Sequence, residues 1–130
     1  VKIKTGRRVA SALGGAALAL GITLGTAGTA NAWTADWETV DDGHGVGIYN
    51  GPSSTSGKHG FHDLYTPDEV YLICWIRGED IANQGNVWYR TSEVYYYRIG
   101  SYNLWGNYYV YGAYVDNYYA FHHRLDECKS

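Results

Sequence analysis

Beyond residue 33, no stretch of this 130-residue sequence carries apolar residues at helical spacing over three turns. It carries short runs of β-branched and aromatic residues, broken roughly every eight to twelve residues by clusters of Gly, Asn, Asp, Ser and Pro. Residues 46–49 read as a first strand, and Asn50-Gly51-Pro52-Ser53-Ser54-Thr55-Ser56-Gly57 as a long polar loop. Strand-like composition resumes at Leu64-Tyr65 and across 69–76, with Thr66-Pro67-Asp68 as the turn between them. Residues 77–85 read as a loop, and 86–90, 94–99 and 108–115 as three further strands. Five to seven short strands predict an all-β fold, a small antiparallel barrel or sandwich.

The first third is of another kind. Lys2, Lys4, Arg7 and Arg8 precede a small, apolar run over 9–24, and Ala30-Asn31-Ala32 offers the small residues a signal peptidase reads. Gly14, Gly15, Gly21 and Gly25 break the run too often for a bilayer-spanning helix. The expectation is a secretory signal over 1–32, cut between Ala32 and Trp33, then an N-terminal arm or edge strand over 33–43 and one domain over 44–130. Arg7-Arg8 also invites a twin-arginine reading, against which Gly6 and Ala10-Ser11 stand.

All thirteen acidic side chains follow residue 33, with only six basic ones, so the expected mature chain carries a net charge of −7 against −3 for the whole. Such a domain repels nucleic-acid phosphates and has no reason to seek anionic lipid, so neither nucleic acid nor membrane is an expected partner after signal removal. All 5 Trp, 14 Tyr and 2 Phe lie within residues 33–130. Tyr joins a large apolar ring to a hydroxyl, which suits both half-buried strand faces and recognition surfaces.

Cys74 and Cys128 are the only cysteines. Export would place them where thiols oxidise, and a bridge between them closes a loop of about 55 residues, worth about 4 kcal/mol on the chain-entropy model. The competing readings are a reactive thiol and a zinc pair, for which the wide gap and the lack of a CxxC neighbour are unfavourable.

Catalytic patterns are missing. No Gly-x-Ser-x-Gly occurs, and the adjacent acids Asp41-Asp42, Glu79-Asp80 and Asp126-Glu127 point apart on an extended chain. His59 and His62 in the polar loop, His122-His123 and His44 match no metal signature. The expectation is a non-enzymatic protein with no metal and no cofactor.

The order of four motifs resembles the bacterial SH3-like (SH3b) domain of the short secreted actinobacterial type. These are Val46-Gly47-Ile48-Tyr49-Asn50-Gly51-Pro52-Ser53, Asp68-Glu69-Val70-Tyr71-Leu72, Trp88, and Tyr109-Val110-Tyr111-Gly112-Ala113-Tyr114-Val115. The resemblance spans 44–128 and implies an SH3-like barrel with Cys74 joined to Cys128. Three departures stand out: Tyr49 and Asn50 replace a usual Arg and Ser, the stretch from Trp88 to Tyr109 is longer and reads as an extended hairpin, and a tail runs from Tyr118 to Ser130.

The resemblance further implies a secreted, non-catalytic binding module, cell-wall associated through recognition of peptidoglycan peptide. Its groove would use Tyr49, Asn50, Trp88, Tyr89 and Tyr114, joined by Tyr97 or Trp105 if the hairpin folds over it. The alternative is a secreted interaction partner, a subunit, inhibitor or neutralising protein, that presents the Tyr-rich hairpin to another secreted protein.

Overall fold

In the computed structural model, which describes residues 35–41 and 43–129, the strand-like runs form one antiparallel sheet. The expected signal and its cleavage point at Ala32-Trp33 lie outside the described residues. The strands are β1 (Asp36–Thr39), β2 (Val46–Tyr49), β3 (Lys58–Leu64), β4 (Glu69–Arg77), β5 (Val87–Tyr96) and β6 (Gly100–Tyr111). Their spatial order is β1-β4-β5-β6-β2-β3. Two one-turn helices follow, α1 (Gly112–Asp116) and α2 (Tyr119–His123).

Alternation sets the faces. On β4, Val70, Leu72 and Cys74 turn inward while Glu69, Tyr71 and Ile73 stay partly exposed. Strand β5, one of the two central strands, is buried on both sides at Val87, Trp88 and Tyr89, where α1 packs against it. Val46, Ile48, Leu64, Leu104 and Val110 complete the interior. Fully burying each such side chain contributes about 1.5–3 kcal/mol.

The expected arm pairs with β4 as an edge strand, in the register Asp36↔Leu72 to Thr39↔Glu69. Where β1 stops, the C-terminal segment takes over the same edge of β4: Trp75 N–H donates to Asp126 O (3.0 Å) and Cys128 N–H to Trp75 O (2.8 Å). The Cys74–Cys128 disulfide locks this segment down, and Arg124 ties it to β1 through Asp36 (3.2 Å) and Glu38.

Three expectations are corrected. Residues 86–90 and 94–99 do not form separate strands: β5 runs through both to Tyr96, with a register shift between Thr91 and Glu93. The run 108–115 ends as a strand at Tyr111, and Gly112–Asp116 is helical despite its β-type composition. At Gly112 a Cβ would press on Val87 O and the Tyr118 ring, so packing across β5 overrides local propensity. Finally, His59 and His62 lie on β3 rather than in the loop; β3 is an edge strand, where polar side chains are well tolerated.

The extended hairpin is present as β5 and β6, with a tight turn at 97–99 and Gly100 at φ 95°. A left-handed residue there favours glycine. The polar loop 50–57 is pinned by Glu79, whose carboxylate accepts the N–H and hydroxyl of Ser54 at 2.6 and 2.7 Å and is thereby held below the usual carboxylate range.

Candidate functional site

Strand β3, at one end of the sheet, meets the end of β5 without forming a ladder with it. Strand β3 pairs only with β2, and on its other side the Tyr96 hydroxyl donates to His62 O (2.8 Å) and receives His62 N–H (3.4 Å). Beside this seam lies a cleft of about 770 Å³ lined by His62, Asp63 and the 65–68 turn on one side and by 96–99 on the other. Its size is typical of ligand pockets, about 300–1,000 Å³.

One carboxylate fixes the cleft's shape. Asp68 accepts Tyr65 N–H at 3.0 Å and Tyr97 N–H at 2.8 Å, so it holds the β3–β4 turn against the tip of the β5–β6 hairpin. The first turn is also anchored by Thr66 Oγ1–H to Val40 O (2.6 Å). With backbones fixed, the side chains of Tyr65, Tyr97 and Ile99 remain 54 %, 65 % and 59 % exposed. Large apolar groups gathered in this way on one concave surface mark an interaction site.

The residues expected to line the groove lie elsewhere, apart from Tyr97. Trp88 and Tyr89 are fully buried. Trp88 donates Nε1–H to Glu79 O (2.9 Å), and Tyr49 packs edge-on against it at 5.7 Å. Tyr114 joins the same aromatic cluster through Tyr111 (4.9 Å) and stacks on His44 (3.9 Å). Asn50 braces the polar loop, donating Nδ2–H to Ser56 O (3.1 Å). The structure therefore brings Tyr49, Trp88 and Tyr114 together as one packed cluster.

Tyr89 donates its hydroxyl to Asp116 Oδ1 (2.9 Å) and accepts Phe121 N–H (3.1 Å); Asp116 Oδ2 accepts Ala120 N–H (2.9 Å). Burial pushes both ionisations up, and Tyr89 stays a neutral phenol. The pair anchors α2 to β5 with its hydrogen bonds made inside the protein.

Trp105 is the other exposed aromatic of note, at 85 %. Residues 104–107 of β6 stand opposite the single residue Ser92, and Trp105 sits in this bulge at φ 57° with its N–H on Asn103 Oδ1 (2.7 Å). A non-glycine residue in that region costs about 1–3 kcal/mol.

Tyr65, Arg98 and Ile99 were not among the expected site residues. A signal for them exists: Tyr65 borders a Thr-Pro-Asp turn and Ile99 precedes a glycine, and a large apolar side chain at a turn has little to pack against. Among the described residues no group of three or more His, Cys, Asp or Glu is placed to hold a metal ion. Comparison of the chain with family models, curated proteins and solved structures returned no significant match.

Proposed function

We propose that this is an exported, non-catalytic binding protein that takes an extended peptide segment of another exported protein into the cleft between the 65–68 turn and the tip of the β5–β6 hairpin. The observation that carries the reading is the convergence of Tyr65, Tyr97 and Ile99, all more than half exposed, on one cleft. Tyr supplies wide contact area at low entropic cost. The closed disulfide and the basic-then-apolar leader support export. The groove implied by the SH3-like resemblance has less support, since Trp88 and Tyr89 are spent on packing.

The test is binding of the oxidised protein to an array of random short peptides, with a Tyr97→Ala, Ile99→Ala double variant beside it. The expected result is a set of bound peptides whose retention falls at least about tenfold in the variant at unchanged melting temperature. Binding that the variant leaves intact would contradict the cleft. A parallel sedimentation with protease-stripped peptidoglycan in high salt should show no retention; retention lost in the same variant would move the partner from a protein to the wall peptide.

A further inference from the structure

The cleft's charged side chains are not equivalent. Asp63 is occupied by Lys58, whose Nζ lies 2.9 and 3.0 Å from its two oxygens. Asp68 is occupied on both oxygens by backbone N–H groups. Arg98 lines the same cleft, is exposed, and has neither a hydrogen-bond nor an ion-pair partner among the described residues. A free guanidinium beside an apolar wall is an anion site in a domain whose net charge is otherwise strongly negative.

Resting on the cleft reading above, we infer that the ligand is the carboxyl-terminal residue of a peptide, its terminal carboxylate on Arg98 and its apolar side chain against Tyr65, Tyr97 and Ile99. Two features select this chemistry. The planar guanidinium fork matches a carboxylate with two parallel hydrogen bonds. Arg98 also stands between Tyr97 and Ile99 in the chain, so charge and apolar surface are offered within the span of one ligand residue. A C-terminal residue carries its carboxylate and its side chain on the same Cα. An internal Asp or Glu carries its charge at the side-chain end, and its apolar contact would have to come from a neighbour. The acidic surface adds a constraint: further carboxylates upstream in the peptide are repelled, so one terminal charge on an apolar residue is favoured over an acidic tail.

Fluorescence anisotropy of the oxidised protein with labelled hexapeptides ending in Leu or Phe, each as free acid and as amide, tests this. The free acid should bind at least about tenfold more tightly than the amide. Arg98→Gln should erase the difference, and Arg98→Lys should restore part of it. Equal binding of acid and amide, lost in the Tyr97→Ala, Ile99→Ala variant, overturns the carboxylate inference and leaves the cleft standing. A preference for the acid that survives Arg98→Gln overturns the role of Arg98. No binding by any peptide, or binding indifferent to the double variant, overturns the cleft reading and the inference together.

Discussion

Tyr89 is fully buried and spends its hydroxyl on Asp116 and Phe121, whereas Tyr97, at the end of the same hairpin arm, leaves 65 % of its surface in water. Removing each group should therefore be felt in a different measurement. Tyr89→Phe leaves an acceptor-poor Phe121 N–H and a donor-poor carboxylate, and should cost about 1–3 kcal/mol in chemical denaturation. Tyr97→Ala should stay within about 0.5 kcal/mol of the parent by the same measurement and lose peptide binding. Asp116 adds a pH signature. Burial raises its pKa, so the folded protein holds the proton to higher pH than the unfolded chain does, and stability falls as pH rises from about 4 through the raised folded value. Glu38, also raised chiefly by burial, acts in the same direction. Asp116→Asn should flatten the decline of melting temperature with pH, whatever its absolute stability, since the amide's single oxygen replaces the two acceptors that Tyr89 O–H and Ala120 N–H now use. Composition marked the aromatics as important; it could not sort them, because burial is set by partners far away in sequence. Trp88 meets Glu79 and Tyr111, and Tyr89 meets Asp116. Of the expected groove aromatics, Tyr97, next to a turn, and Trp105, in a bulge, keep in the structure the exposure a binding role requires.

At the scale of elements, β-branched and aromatic runs and turn chemistry located most strands: the 66–68 turn and the long hairpin stand where residue type placed them, and the loop expected over 77–85 begins one residue later, after Arg77 ends β4. Two kinds of element were hidden. Strand β3 carries Lys58, His59, His62 and Asp63, a polar content tolerated because one of its edges has no ladder partner. Helix α1 carries Tyr and Val, and forms because Val115 and Asp116 are buried against the sheet. Its five residues are too short to show a helical period. Loops here are also held by close contacts that composition does not reveal. Gly78 lies against Pro52, whose carbonyl accepts Glu79 N–H (3.0 Å), and a Cβ at 78 would collide with that oxygen and touch Trp88. Gly78→Ala should therefore destabilise by about 1–3 kcal/mol in urea unfolding, while Gly43→Ala, with open space around its Cα, should be near neutral.

Across the whole molecule, the ends of the described chain are tied to the same strand. Strand β1 pairs with the first half of β4, the 126–128 segment with the second, and Arg124 and the Cys74–Cys128 bridge hold the two together. The bridge spans 54 positions, so Cys128→Ser should lower stability by about 4 kcal/mol and release the C-terminal residues to amide exchange. A smaller loss with unchanged protection at Trp75 would mean that the hydrogen bonds hold the segment unaided. This brace leaves the seam between β3 and the hairpin tip bridged by the Tyr96 hydroxyl and flanked by the cleft. The most direct test of that site is a ¹H–¹⁵N correlation titration of the oxidised protein with the tightest free-acid peptide. Shifts should concentrate at His62, Tyr65, Asp68, Tyr97, Arg98 and Ile99. Shifts concentrated instead at Tyr49, Trp88, Tyr111 and Tyr114 would place the ligand on the aromatic cluster and overturn the cleft.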